Sequence, residues 1–258
     1  MTKRVRLRWW LPLLGLGLAG CVWLRLLEIK YQLADFDEHV RVQIADRHFS
    51  LRLLHPVLFS EDFRELTKLH PSRIERLPQG YRWFLDFRAD PASAGQQAER
   101  TITFGLTFTP DDRLCVFDFS PLFLEMAPPV FLEASIRALG SGKVDQGKKQ
   151  LKVDPDDLPK LSAKLPKRAQ IVEVMGPPAE EFQDRGLTVL KYHFRAEALP
   201  VAPEYEQRRL AEAKLSFDPA SDELVRLAGR FAGLKLAIDY RKLVRSPTRE
   251  EHPRASAD

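Results

Sequence analysis

The side chains that most often carry out chemistry are scattered along this chain of 258 residues. None of its six histidines lies four residues from another, the spacing with which a helix can hold a metal ion. The paired carboxylates Asp111-Asp112 and Asp156-Asp157 stand beside prolines, where such residues commonly stabilise turns. The sequence contains no Gly-x-Ser-x-Gly, glycine-rich phosphate-loop, His-Glu-x-x-His or Cys-x-x-Cys pattern. We therefore predict no catalytic residue, no metal site and no cofactor.

The two cysteines occupy different sequence contexts. Cys115 lies in the apolar stretch 114–117, which favours a buried small side chain over a reactive nucleophile. Cys21 follows a basic stretch over residues 1–8, then an apolar stretch, then the small pair Ala19-Gly20. A basic start, a short apolar run and small residues before a cleavage position are typical of a secretory signal peptide. If Cys21 is modified, Cys115 has no partner in the chain and no internal disulfide is expected.

The tetrapeptide Leu18-Ala19-Gly20-Cys21 resembles the lipobox of bacterial lipoproteins. The resemblance implies that the Cys21 thiol receives a diacylglycerol, that the chain is cleaved after Gly20, and that the new amino group is acylated, for example with palmitate. Several acyl chains hold a protein firmly on a bilayer, since each buried methylene contributes about 0.8 kcal/mol. Val22 stands where an Asp would retain such a protein in the inner membrane. The resemblance therefore implies the outer membrane, facing the periplasm, with inner-membrane anchoring as the alternative.

An uncleaved membrane anchor is the competing interpretation of the same segment. Residues 9–24 carry no charge, but this run is shorter than the roughly 20 residues that a spanning helix requires. Arg25 and Glu28 interrupt any extension, although apolar residues continue to Leu33. The stretch that follows Cys21 is predicted to pack as the first element of the body. The alternative is that it lies at the membrane interface.

The charge balance argues against nucleic acid as a partner. Lys and Arg total 40 against 36 Asp and Glu, a formal net charge of +4. Four basic residues precede the apolar stretch, and the charges of the remaining chain cancel. These four residues are Lys3, Arg4, Arg6 and Arg8. A body without net positive charge has nothing to drive non-specific binding to a polyanion.

Short sequence matches recur in the same order along the chain. Three pairs of segments match, and their offsets lie between 106 and 109 residues. The pairs are Lys68–Pro71 with Val174–Pro177, Phe87–Asp90 with Phe194–Glu197, and Leu106–Pro110 with Leu215–Pro219. Because the order and the spacing both persist, we interpret the two stretches as copies of one unit.

The two copies carry the same predicted elements. In the first copy, Ser60 is the expected N-cap of a helix that Pro71 ends. Apolar alternation then predicts strands at Tyr81–Arg88, Ile102–Phe108 and Leu114–Phe119. The second copy is predicted to contain a helix over about Lys167–Met175 and strands at Leu187–Arg195, Leu210–Phe217, Glu223–Phe231 and Leu234–Tyr240. Before and between the copies we expect a hairpin of Val40–Ile44 with Phe49–Leu53, a helix Val130–Leu139 and a linker Gly140–Lys152.

A short helix that ends in Gly-Pro and precedes antiparallel strands resembles two known families. One is the small lipoprotein of the outer-membrane β-barrel assembly machine. The other is the family of β-lactamase-inhibitor proteins, each of which contains two tandem copies of this unit. The second copy carries the resemblance in Ile171–Pro178 and Leu215–Asp218. His70 replaces the glycine in the first copy, and the usual Gly-x-Thr/Ser entry to the helix is absent. The resemblance implies a binding module.

We therefore expect an α+β fold, with two tandem copies of a helix plus antiparallel sheet unit behind an N-terminal lipoprotein signal peptide. The predicted boundaries are 1–20 for the signal peptide, 21–39 for a membrane-proximal segment, 40–126 for the first copy, 127–159 for a helix and linker, 160–245 for the second copy and 246–258 for a disordered tail.

The expected role is that of a non-catalytic, lipid-anchored envelope protein that binds another envelope protein in assembly, maintenance or inhibition. The alternative is a lipid or glycan carrier, or an envelope enzyme, with a cleft between the two copies. Phe84 is the aromatic residue that falls out of phase with its neighbours in the strand Tyr81–Arg88. It is predicted to contact either a second packed layer or a partner.

Overall fold

A computed structural model of the chain describes residues 11–45, 47–89, 100–145, 150–153, 158–197 and 201–244. Within these ranges the side chains of residues 11–21, 144–145 and 150–152 are not described. The predictions for residues 1–10, for Asp156-Asp157 and for the tail 246–258 therefore lie outside the described residues.

The predicted hairpin, helices and strands occur in the predicted order, and the structure adds elements that the apolar patterns do not predict, among them Arg73–Leu77, Pro121–Met126 and Glu180–Asp184. The helices are α1 (Leu11–Ala34), α2 (Phe36–His39), α3 (Ser60–Thr67), α4 (Pro121–Met126), α5 (Pro129–Ala138), α6 (Arg168–Met175), a 3₁₀ helix (Pro203–Arg209) and α7 (Tyr240–Leu243). The strands are β1 (Val40–Ala45), β2 (His48–Leu53), β3 (Arg73–Leu77), β4 (Gly80–Ala89), β5 (Thr101–Phe108), β6 (Leu114–Phe119), β7 (Lys143–Asp145), β8 (Gln150–Lys152), β9 (Glu180–Asp184), β10 (Leu187–Ala196), β11 (Leu210–Phe217), β12 (Leu224–Phe231) and β13 (Leu234–Asp239).

Eleven of these strands form one large, curled antiparallel sheet, and the helices complete an α+β fold. The strand order is β1-β2-β6-β5-β4-β10-β11-β12-β13, with β3 beside β4 and β9 beside β10. Strand β4 illustrates why these segments form the sheet. Trp83, Leu85 and Phe87 are buried on one face, whereas Asp86 and Arg88 alternate with them on the other.

The predicted hairpin before the first helix is confirmed. Strands β1 and β2 pair so that Val42 faces Leu51 and Ile44 faces Phe49, the register that the apolar pattern requires. The strands predicted between Tyr81 and Phe119 and between Leu187 and Tyr240 are also confirmed, and each of their ends lies within one residue of the predicted end. Period-two alternation is a strong signal here because the sheet has one face in the core.

The predicted N-cap of α3 is wrong by one residue. The helix begins at Ser60, and the capping position is Phe59, whose N–H donates to the Asp62 carboxylate at 2.9 Å. The Ser60 hydroxyl instead donates to Asp112 at 3.0 Å. The predicted stop at Pro71 is also wrong, since Lys68 adopts a left-handed conformation and ends the helix earlier.

The segment Gly140–Lys152 is not the plain linker that its composition predicts. Its ends pair as the short hairpin β7–β8, in which Lys143 faces Lys152 and Val144 faces Leu151. Glycine and lysine are typical of solvated connections, but three residues on each side suffice to form a ladder.

One apolar core runs through the whole sheet. The ring of Phe231, on β12, lies 5.4 Å from that of Phe87 and 5.6 Å from that of Phe104, both from the first half of the chain. Phe194 packs against the same ring at 6.0 Å. Tyr240 is fully buried, and its hydroxyl donates to the Met126 carbonyl at 2.5 Å. The two halves therefore share their core.

Candidate functional site

The predicted lipid attachment site lies within helix α1. Leu18, Ala19, Gly20 and Cys21 are helical in backbone, and their side chains fall outside the described part of the chain. Among the described residues, no helix combines the length and the apolar character needed to cross a membrane.

An ion pair fixes the inner face of α1 to the body. The Arg25 guanidinium donates to both carboxylate oxygens of Asp62 on α3, with one nitrogen–oxygen distance of 2.7 Å. The Asp62 side chain is only 3% exposed. The guanidinium carbon of Arg25 also lies 5.1 Å from the centroid of the Phe59 ring. A bidentate contact of this kind fixes both the position of α1 and its rotation about the helix axis.

The carboxyl end of α1 is fixed by close backbone contact. Gln32 is 2% exposed, and its side-chain amide donates to the His55 carbonyl at 2.9 Å. A Cβ atom on Gly140, which follows α5, would come within 2.2 Å of the Leu33 carbonyl oxygen. Since such an approach excludes every residue but glycine without a backbone shift, α1 is packed as the first element of the body.

We expect Arg25→Ala to destabilise the protein by about 2–4 kcal/mol, because it leaves a buried carboxylate without its cation. Lys30→Ala on the same helix is the matched control, expected to change stability by less than about 1 kcal/mol. Chemical denaturation measures both. The double variant Arg25→Ala/Asp62→Ala is expected to lose less than the sum of the single losses. Equal losses for Arg25→Ala and Lys30→Ala would contradict the role of the pair.

The outer face of α1 is apolar and exposed. Trp23, Leu24, Leu27 and Tyr31, which we call the α1 stripe, keep 45%, 67%, 40% and 62% of their surface accessible. The segment therefore packs on the body with one face, as predicted, and leaves a face of the kind expected at a membrane interface.

A cleft of about 830 Å³ lies where β4 meets β10. The two strands pair over three residues, and the Arg88 backbone stands directly opposite that of Arg195. The residues that line the cleft are Arg88, Ala89, His193, Phe194, Arg195, Ala196, Glu197, Arg209, Leu210, Ala211, Glu212 and Arg230. The cleft thus opens at the junction of the two halves of the sheet, with charged side chains from both.

Two arginines face each other across the centre of this junction. Like charges on directly opposed residues of a sheet destabilise it, so both need compensation. Arg88 forms an ion pair with Glu197 at 2.5 Å, and Arg195 forms one with Glu206. Arg209 also binds Glu206, at 3.1 Å. Glu197 and Glu206 are both solvent-accessible. A ligand oxyanion or a partner carboxylate can therefore replace either of them beside the arginines without leaving a buried charge unpaired.

A second charged row borders the cleft on β10. Lys191 lies 2.8 Å from Glu180 and 3.4 Å from Glu212. The hydrogen bond from Lys191 lowers the pKa of Glu180. His193 lies on the same outer face, as its alternation with apolar neighbours predicts, with Nε2 3.7 Å from Glu212. The row is ionic and accessible, which suits recognition of a polar surface.

Phe84 lies on the outer face of β4, apart from the cleft. It is half-buried, and the guanidinium carbon of Arg73 sits 3.3 Å from its ring centroid. This cation–π contact covers part of the ring. A contact of Phe84 with a partner stays a prediction.

The other residue types considered for chemistry have structural surroundings. Asp112 has a left-handed backbone and accepts hydrogen bonds from Ser60 and Tyr81, so the turn interpretation of Asp111-Asp112 is confirmed. Burial raises the pKa of the Cys115 thiol, which disfavours the reactive thiolate. Within the described ranges, no three His, Cys, Asp or Glu side chains cluster as a metal ion would need.

The cluster of Arg88, Arg195 and Arg209 at the cleft is the feature that sequence reasoning missed. The repeated tripeptides Phe87-Arg88-Ala89 and Phe194-Arg195-Ala196 contain a signal, because each places an arginine between a phenylalanine and an alanine. The pairing of β4 with β10 brings those two positions together.

In comparisons with known proteins, no protein family, no curated protein and no solved structure matches this chain.

Proposed function

We propose that this protein is a bacterial lipoprotein, acylated on Cys21 and facing the periplasm from the outer membrane, whose body binds another envelope component without catalysis. The observation that carries the proposal is the docking of α1. Arg25, four residues after Cys21, already contacts the buried Asp62. Because four helical residues rise about 6 Å, the lipid anchor would hold the body at the bilayer surface.

We further propose that the body is a tandem duplication. The element order α3-β3-β4-β5-β6 in the first half recurs as α6-β9-β10-β11-β12 in the second. In both halves the short strand pairs with the long one, β3 with β4 and β9 with β10. This order supports the resemblance to the β-barrel assembly lipoprotein and to the β-lactamase-inhibitor proteins.

Local irregularities recur at equivalent positions and give the duplication independent support. A left-handed residue occurs at Asp112 in the first half and at Asp222 in the second. The strand that follows the long strand in each half has a register shift, before Phe108 and before Phe217. An isolated bridge joins residue 59 to residue 113 and, equivalently, residue 167 to residue 223. Such details do not follow from amphipathic patterning, so their recurrence favours common descent of the halves.

The pairing of β4 with β10 supports a two-fold relation between the copies. Phe87 faces Ala196, and Ala89 faces Phe194. In the proposed duplication Phe87 corresponds to Phe194 and Ala89 to Ala196, so exchanging the two copies leaves this pairing unchanged. Arg88 and Arg195 are counterparts and face each other. The cleft then lies on the two-fold axis, as expected for a site that duplication created.

The lining of the cleft favours a polar partner over an acyl chain. Arg88, Arg195, Arg209 and Arg230 lie in it or at its rim, beside Glu197 and Glu212. Lipid carriers need an enclosed apolar pocket, whereas accessible arginines are common at protein interfaces. A glycan carrier is the second candidate, since a cleft of about 830 Å³ with charged side chains in its lining has the size of a small-ligand site.

The test is co-purification of the intact lipidated protein from detergent-solubilised envelopes. We expect reproducible enrichment of an envelope protein, and a loss of at least about tenfold with Arg88→Glu/Arg195→Glu because the charge of the cleft is reversed. Arg226→Glu, on an exposed position of β12 outside the lining, is the matched control. Recovery of bound glycan without protein would favour the carrier. Equal enrichment with both variants would contradict the cleft as the binding site.

A further inference from the structure

The α1 stripe is an uninterrupted apolar surface on a helix that cannot rotate. At 3.6 residues per turn, Trp23, Leu24, Leu27 and Tyr31 fall within an arc of about 100°. The opposite face is held by the Arg25 ion pair to Asp62 and by the close approach at Gly140. The stripe therefore points away from the body along about 12 Å of helix.

We infer that the α1 stripe lies in the headgroup region of the same bilayer that holds the lipid anchor, so that the body is seated on the membrane in one orientation. This inference rests on the proposed acylation of Cys21. Acyl chains on Cys21 would enter the bilayer from the helix that carries the stripe, only two residues before Trp23. With no spacer between the anchor and the docked helix, the lipid surface is the surface that the stripe meets first.

The composition of the stripe suits a membrane interface. Trp and Tyr are enriched at the boundary between acyl chains and headgroups, because each combines an apolar ring with a polar group. Leu24 and Leu27 supply the purely apolar area between the two rings. Lys30 borders the arc, with Nζ 5.8 Å from the Tyr31 ring centroid, and its long stem lets the ammonium reach lipid phosphates.

The continuous helix α1 also argues against free motion of the body relative to its lipid anchor. Most of the motion of a tethered protein comes from a flexible spacer, and here the chain is helical from the proposed anchor residue Cys21 through Ala34. A rigid helix fixed to the core transmits the position of the anchor to the whole sheet. Contact with the bilayer thus follows from the helix, and it sets which face of the body remains open to the periplasm.

Tryptophan fluorescence in vesicles tests this contact. Of the four tryptophans, the processed protein keeps Trp23 and Trp83, and Trp83 is 5% exposed within the body. The acylated protein, checked by mass spectrometry, is reconstituted into phosphatidylethanolamine–phosphatidylglycerol vesicles whose acyl chains carry bromine near the headgroup. Bromine quenches at contact range, so we expect the Trp23 emission to fall at least about twofold and to shift to the blue. Trp23→Phe should show no bromine-dependent loss.

Charge placed in the stripe supplies the second arm. Leu24→Glu/Leu27→Glu keeps Trp23 and is expected to abolish its quenching, whereas Leu234→Glu, on the exposed strand β13, should leave it unchanged. Unquenched Trp23 in vesicle-bound, acylated protein would overturn the inference. In that case a cross-linked dimer or a co-purified protein contacting Trp23 would identify what covers the stripe. A mature protein without acyl chains would contradict the anchor itself, which the mass measurement distinguishes.

Discussion

Replacing Cys21 with serine is expected to abolish fatty acylation and to leave the chain as an uncleaved precursor. A serine hydroxyl cannot form the thioether that attaches the diacylglycerol, and cleavage after Gly20 follows that attachment in the proposed lipoprotein pathway. Metabolic labelling with palmitate should fall to background. Mass spectrometry should find residues 1–20 still present.

Cys115→Ser is the matched control for this experiment. Cys115 is half-buried, and its thiol lies 3.4 Å from the Thr107 carbonyl oxygen, far in sequence from the lipobox. The control should be labelled and processed like the natural protein. Palmitate on the Cys21→Ser chain would show that the attachment site lies elsewhere, and an unlabelled natural chain would remove the basis for a lipoprotein.

Phe231→Ala is expected to lower the free energy of unfolding by about 3–5 kcal/mol, the range for large aromatic truncations in a core. The Phe231 ring is 5% exposed and contacts Phe87, Phe104 and Phe194. Because these contacts join the two halves of the chain, both should still unfold in one transition at lower denaturant. Circular dichroism and tryptophan fluorescence report that transition, the latter from Trp23 and Trp83 in the processed protein.

Phe182→Ala provides the control, since Phe182 is 39% exposed on β9. Its loss should stay below about 1 kcal/mol. Two separated transitions in Phe231→Ala would indicate that the halves are independent domains, contrary to the shared core. A loss as small as that of Phe182→Ala would show that the neighbouring rings collapse into the space.

Bilayer contact of the α1 stripe is compatible with partner binding in the cleft, because the two surfaces are separate. The stripe lies on the helix fixed to Asp62 and Gly140, whereas the cleft lies at the β4–β10 junction. A body seated on the membrane by one element can present the other site to a second envelope component. The two surfaces can be tested separately, because none of their residues is shared.

Local patterns were sufficient for most of the elements of this protein. Apolar alternation predicted β4, β5 and β6, and the register of the β1–β2 hairpin followed from keeping its apolar residues on one face. The cap of α3 was mistaken because Ser60 and Asp62 both suit that turn. Asp112, which lies 52 residues away from Ser60, decides between them because it accepts the hydrogen bond that the Ser60 hydroxyl donates.

Local residue patterns sufficed for the longer strands, for helices α3, α5 and α6, for the repeated order of motifs and for the lipobox-like tetrapeptide, since each depends on residues close together in the chain. They did not predict the short strands β3 and β9 or helix α4. The pairing of β4 with β10, the opposition of Arg88 and Arg195, and the outward orientation of Trp23 and Tyr31 on α1 all depend on tertiary packing. Alternation specifies which face of a strand is apolar but not which strand lies beside it. That choice depends on packing the whole core, in which Phe231 joins residues more than 100 positions apart.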